Sequence, residues 1–300
     1  MKFRAHETFY IRKGWLNKGL KNIHKEPTIF SDRELVQTDI LGIGTNMVKS
    51  LRYWMQAVGL TEEERVANQK PQQFTRFGEI VWKNDKYFEE PGTLYFLHYK
   101  LASNKELATA WYWLFNEYNA KEFSKEDFLS GLDGYIKFNE GEQEVALSSL
   151  EADFICLIST YVPKRRGIKE EVDPEDVIES PLCELGLIEY NENKDIYYKK
   201  SIKQGKVHPL ILLAVILEQY ELAENKNRLK EIKISDLLEK KCNIGRIFNM
   251  DLITLNYYLD NLQQLGYLKV VRTAGIDVIQ LSKDIRWDEA LQSYYNEINS

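Results

Sequence analysis

The 300-residue sequence predicts a mainly α protein with small β-hairpin wings, in which winged-helix or helix-turn-helix units near each end are joined by a helical middle region. Two stretches carry that expectation. Ser31 to Gly59 spells a short helix, a glycine turn and a longer helix, and Pro209 to Leu281 spells three helices followed by a hairpin. The expected division is an N-terminal arm with a winged-helix-like domain (1–83), a helical middle domain with a hairpin (84–205) and a C-terminal winged-helix domain (206–300).

In the first unit, residues 1–30 mix aromatic, basic and glycine residues and read as an ordered arm or short helix. Ser31-Asp32-Arg33-Glu34 is a capping-box pattern that would open a helix to about Thr38. Leu41-Gly42-Ile43-Gly44 makes a turn, Thr45 caps the next helix and Gly59 ends it. Thr61 to Lys70 reads as a polar loop, and Phe74 to Trp82 alternates as a wing strand would.

In the middle, Pro91 opens a helix through Ala102. A second spans about Glu106 to Tyr118, a third starts after Ser124 with Phe123 and Phe128 as its hydrophobic staple, and a fourth runs from near Leu150 to Tyr161. The charged stretch Pro163 to Glu175, containing Lys164-Arg165-Arg166-Gly167, marks a loop or boundary. Leu187 to Tyr190 and Ile196 to Tyr198 form a hairpin. In the last unit, Pro209 opens a helix to about Leu222, Ser235 caps a short one, and Asp251 caps a longer one that Gly266 ends. Tyr267–Arg272 then pairs with Ile276–Leu281 around Thr273-Ala274-Gly275.

A composition 44% hydrophobic, 12% aromatic and 29% charged excludes a disordered chain. Cys156, Cys183 and Cys242 are odd in number and widely spaced, which suits a reducing compartment. No apolar run approaches the roughly 20 residues that span a bilayer, and Met1 to Glu7 lacks a signal-peptide core, so a cytoplasmic protein without membrane contact is expected. The net charge of −6 is divided unevenly: residues 1–83 hold 14 Lys/Arg against 9 Asp/Glu, and the remainder carries −11. One end can therefore face a polyanion while the other meets a protein.

Helical periodicity separates the two candidate recognition helices. In the first, Met47, Val48, Leu51, Trp54, Met55 and Val58 turn inward, while Thr45, Asn46, Lys49, Arg52, Tyr53 and Gln56 share the opposite arc. Cations, amides and hydroxyls on one face suit double-stranded DNA, with Asn46 and Lys49 toward bases or phosphates and Arg52 and Tyr53 toward the backbone. In the last unit the outward face, Ile253, Asn256, Tyr257, Asp260 and Gln264, has no cation and suits protein docking, chiefly through Ile253, Asn256 and Tyr257.

Catalysis and cofactors are not expected. His6, His24, His98 and His208 lie in separate segments, without metal-ligand spacing, and His98 reads as a core histidine bonded to backbone. Leu41 to Asn46 lacks the ending of a P-loop, no GxSxG elbow occurs, and acid pairs such as Glu89-Glu90 read as solvated surface. An active site around His6 and Glu7 is the low-ranked hydrolase or nuclease-like alternative. Trp111-Tyr112-Trp113 could stack bases but reads as core.

Several stretches together resemble a bacterial and archaeal family known as domain of unknown function 4007. They are Phe3 to Phe9 with Arg12-Lys13-Gly14-Trp15-Leu16, Leu41 to Val48 with Leu51-Arg52-Tyr53-Trp54, Pro91-Gly92-Thr93-Leu94 with Leu97-His98-Tyr99, and Trp111-Tyr112-Trp113 with Phe115-Asn116. Ala5 stands where the family leads one to expect glycine. The resemblance implies a setting beside phosphoadenosine-phosphosulfate-reductase-like genes in DNA phosphorothioation and phage-defence clusters, and transfers no catalytic residue. The expected function is thus a non-catalytic DNA-binding accessory or regulatory protein of such a system. Its partners would be double-stranded DNA, a modification or defence enzyme, and a second copy of the chain in a homodimer. The alternative is a winged-helix scaffold that recruits a sulfur-transfer or nuclease partner without contacting DNA.

Overall fold

The computed structural model describes residues 1–300 except 33, 67–68, 142–143, 164–177, 223–230 and 274. The chain is mainly α with small antiparallel sheets. After an irregular arm come α1 (Trp15–Lys25), α2 (Gln37–Leu41), α3 (Thr45–Ala57) and a hairpin of β1 (Thr61–Glu63) and β2 (Gln72–Phe74). α4 (Arg76–Asn84), α5 (Pro91–Ser103) and α6 (Thr109–Asn116) follow. β3 (Glu122–Phe123) leads into α7 (Lys125–Glu140) and α8 (Leu147–Tyr161), then a 3₁₀ turn over Pro181–Leu185, β4 (Ile188–Asn191) and β5 (Ile196–Lys199). The last part holds α9 (Pro209–Leu222), β6 (Glu231–Lys233), α10 (Ile234–Glu239), α11 (Ile244–Ile247), α12 (Leu252–Gln264), β7 (Leu268–Thr273), β8 (Ile276–Leu281) and α13 (Trp287–Ile298).

Where capping chemistry is explicit, sequence and structure agree. Ser124 accepts from the Asp127 N–H while Asp127 accepts from that of Ser124, and Asp251 accepts from the Thr254 N–H at 2.7 Å. Phe123 and Phe128 are buried with ring centroids 6.4 Å apart, as a staple requires. The hairpins β4–β5 and β7–β8 form as expected, and each gains a third strand, β3 and β6.

Elsewhere the structure corrects the sequence reading. The stretch expected as a wing strand, Phe74 to Trp82, is mostly α4: Phe77, Ile80 and Val81 are buried at helical spacing, and Thr75 accepts from the Gly78 N–H at 3.1 Å. The strands pair instead through Thr61–Glu63, placed in the expected polar loop. The helix expected after Ser31 starts only at Gln37, because the Asp32 carboxylate accepts from the Glu34 N–H at 2.8 Å and holds a turn. Gly44 rather than Thr45 is the N-cap of α3, α6 begins at Thr109 and α10 begins at Ile234, ahead of the expected Ser235 cap. The Lys164–Gly167 loop reading and Ala274 lie outside the described residues.

α13 joins the N-terminal part to the C-terminal part. It packs along α9, and Arg76 on α4 meets Asp288 at 2.8 Å. At the start of α5 the buried Asp85 carboxylate accepts from Glu89 N–H, Glu90 N–H and the Thr93 hydroxyl, and Thr93 in turn meets the Tyr295 hydroxyl at 2.6 Å. The apolar interior is continuous from the arm to α13.

Candidate nucleic-acid interface

Gly42, at φ 61°, closes α2 with its N–H on the Thr38 carbonyl and sends the chain directly into α3. Val48, Leu51, Trp54, Met55 and Val58 are buried, as the periodicity requires, and Met47 is half-buried. The six-residue face assigned to DNA divides in two. Thr45, Asn46 and Lys49 are exposed, and the Lys49 ammonium lies 3.4 Å from Asn46 Oδ1 and 4.0 Å from the Glu7 carboxylate.

Tyr53 corrects the expectation, because other segments bury it, while Arg52 and Gln56 are half-buried and engaged within the protein. Arg52 is engaged by Glu63 of β1 at 2.8 and 2.9 Å and donates to the Phe30 carbonyl. Gln56 donates to the Arg52 carbonyl. Tyr53 is buried and donates to the Leu107 carbonyl at 2.9 Å; burial, with the Asp153 charge adding, holds its phenol well above the ordinary range.

Basic residues outside α3 adjoin the exposed part, and the sequence reading did not single them out. Lys18, Lys21 and Lys25 follow one face of α1 and line an open groove of about 650 Å³ that reaches Ile40 and Leu41. Lys18 donates to the Leu41 carbonyl at 2.7 Å, which ties this row to the turn before α3. A second open groove, about 640 Å³, is lined by Arg52, Arg65 and Lys70, with Glu63 paired to both Arg52 and Lys70. The +5 of residues 1–83 gave the signal for a basic surface, but the row on α1 needed the helix register to be seen.

At the C-terminal face Ile253 is 73% exposed, Asp260 and Gln264 are exposed, and Asn256 and Tyr257 are half-buried. Leu252, 52% exposed, extends the apolar edge. The expectation of a cation-free surface needs amending: β7 brings Arg272 alongside, donating to Asn256 Oδ1 at 2.8 Å.

The histidines stay apart. His6 is sealed, with Nε2 2.7 Å from Asp153 Oδ1 and Nδ1 accepting from the Thr8 N–H; neither nitrogen is open to a substrate. Glu7 points away, toward Lys49. His98 is fully buried between the Tyr161 hydroxyl and the Ile247 carbonyl, each at 2.8 Å, and desolvation lowers its pKa to about 4. His24 packs on Trp82, and His208 lies beside Glu297. Trp111, Tyr112 and Trp113 are core. Among the described residues, no group of three or more His, Cys, Asp or Glu side chains is placed to hold a metal ion, and no helix is long and apolar enough to cross a membrane.

Residues 3–295 match the family model described as protein of unknown function (DUF4007). The whole chain is similar to the crystal structure of SspB, at 24% identity and a TM-score of 0.86 over 89% of that chain. It is likewise similar to the magnesium ion-bound crystal structure of SspB, at 25% identity, the same TM-score and the same coverage. No curated protein matches.

Proposed function

This chain belongs to the DUF4007 family, and we propose that it is a non-catalytic, DNA-binding accessory protein of a bacterial DNA-modification or phage-defence system of the phosphorothioation type. The observation that carries the reading is one basic strip, exposed at Lys21, Lys25, Thr45, Asn46 and Lys49 and half-buried at Lys18. It runs from Lys25, Lys21 and Lys18 on α1, across the Leu41–Gly44 turn that Lys18 clasps, to Thr45, Asn46 and Lys49 at the start of α3. Lysines of this kind bind phosphates, and the open first turns of α3 would enter the major groove with Asn46 leading. Helices α1–α3 followed by the β1–β2 hairpin fit a winged-helix unit, as do α10–α12 followed by β7–β8. The phosphorothioation setting rests on the resemblance of the arm and α3 motifs to the family.

Binding to a short duplex, measured by fluorescence anisotropy over a salt series with and without magnesium, tests the reading. Charge reversal of Lys21 and Lys49 together should lower the slope of log K against log salt by about 2. Unchanged binding in that variant would remove the strip.

A second reading is favoured by the exposed Leu252 and Ile253 on α12: an interface that recruits a phosphoadenosine-phosphosulfate-reductase-like enzyme. Ile253→Asp with Tyr257→Ala should abolish co-purification of that enzyme and leave duplex binding intact; loss of neither excludes this face.

A further inference from the structure

Three non-glycine residues within five positions of the arm adopt left-handed backbone: Arg4 (φ 54°), Glu7 (φ 50°) and Thr8 (φ 69°). That conformation is unfavourable for any side chain and most of all for the β-branched Thr8, so it persists only where surrounding structure imposes it. The imposing contacts are buried. Asp153 Oδ1 accepts from the Arg4 backbone N–H at 2.8 Å and from His6 Nε2 at 2.7 Å, while His6 Nδ1 takes the Thr8 N–H at 3.1 Å. The imidazole stacks on Trp54 and meets Trp111 edge-on, and the Phe9 carbonyl accepts from Ser50 and Trp54, clamping the turn to α3.

Outside this lock the same residues face solvent. Arg4 and Thr8 line a cavity of about 260 Å³ with Ser148, Glu151, Ala152 and Ile155 of α8. Glu151 is engaged by Lys125 at 2.9 Å, and no acid pairs with the Arg4 guanidinium among the described residues. Glu7 reaches toward Lys49, so the turn borders the exposed start of α3.

We propose that Arg4 is a further DNA-backbone contact, and that the strained turn locked by His6 and Asp153 holds it on the same arm segment as Glu7, whose carboxylate reaches Lys49. The inference rests on the DNA reading of the α1–α3 strip and extends that surface onto the arm. A guanidinium suits this place because its planar donors grip a phosphate in a defined orientation. A turn that stays strained keeps the arm backbone that carries Arg4 ordered before DNA arrives, so less ordering accompanies binding.

The test uses the full chain and one duplex over a salt series, with thermal melting in parallel. Arg4→Ala should weaken binding about tenfold and lower the salt slope by about 1 without shifting the melting temperature. Arg4→Lys should recover the slope but only part of the affinity. Thr8→Gly, which removes the left-handed penalty, should raise the melting temperature yet weaken binding severalfold at an unchanged slope. If Lys49→Glu weakens binding while Arg4→Ala stays within about twofold of the parent, the inference falls and the DNA reading stands. If Thr8→Gly binds like the parent, the strain has no part in recognition and that half of the inference falls. A parent chain without salt-dependent duplex binding overturns both.

Discussion

The ammonium of Lys100 on α5 rests on the carboxylate of Glu218 on α9, with the Trp287 ring of α13 5.2 Å from the nitrogen. Glu218 is 5% exposed, so the Lys100 ammonium, with the Tyr99 side chain beside it, is what accommodates a carboxylate where three helices meet. Removing only the cation leaves a buried, uncompensated charge, whereas removing both leaves an apolar contact. Lys100→Met should therefore cost about 3–5 kcal/mol in denaturant unfolding. Lys100→Met with Glu218→Leu should recover most of that loss. A double variant as unstable as the single one would show that the cost lies in packing rather than charge.

His98 should make the fold acid-sensitive in a defined window. Its folded pKa of about 4 lies below the ordinary value of 6.5, so the unfolded chain takes up the proton first. This contribution to stability is complete above about pH 6.5, falls as pH drops, and is lost once pH passes below about 4. The shift corresponds to something on the order of 3 kcal/mol. Unfolding free energies at several pH values, compared with those of His98→Gln, isolate the effect: the difference should shrink steadily as the pH falls through the window. A constant difference would mean that folding does not lower the His98 pKa.

Two helical glycines should respond in opposite directions to alanine. Gly134 lies on the exposed face of α7 with open space where a Cβ would stand, so Gly134→Ala should stabilise by about 0.5–1 kcal/mol. At Gly78 a Cβ would fall 2.0 Å from the Leu60 backbone carbonyl, where α4 meets the start of the hairpin, and backbone cannot swing aside. Gly78→Ala should cost at least about 2 kcal/mol. Melting curves of the two variants shifting in the same direction would contradict the close approach of α4 to Leu60.

Tyr53→Phe separates interior from interface. Loss of the hydroxyl leaves the Leu107 carbonyl without that donor, for a cost of about 1 kcal/mol in unfolding experiments. Duplex affinity should not change, because the ring lies under α3 rather than on its open side. A loss of affinity larger than the loss of stability would return Tyr53 to the DNA-facing surface.

The contrast between Lys49 and Arg52 shows what could be read from the sequence. A helical wheel puts both on the polar side of α3, and that much is true. It cannot show that Glu63, Phe30 and Leu107 arrive from three other segments to engage the half bearing Arg52, Tyr53 and Gln56. Elements with local punctuation were legible: α5 behind Pro91, α7 behind Ser124 and α12 behind Asp251. α4 was not, because Phe74, Phe77, Ile80 and Trp82 combine aromatic and β-branched residues that satisfy either period over so short a span. α13 has a helical apolar pattern in Trp287, Ala290, Leu291, Tyr294 and Tyr295, but its N-cap is Arg286 rather than one of the Ser, Thr, Asp or Asn residues that mark a helix start. The His6–Asp153 lock joins residues 147 positions apart, a distance over which no spacing rule operates.

The Arg76–Asp288 contact spans 212 positions, and it fixes an order of events in synthesis. On the ribosome α4 emerges long before α13 exists, so its α13-facing surface must wait through the making of most of the chain. Such distant closure raises the entropic barrier and slows folding relative to a helical bundle with local contacts. The waiting surface is one that a chaperone could hold until α13 is released to cover it.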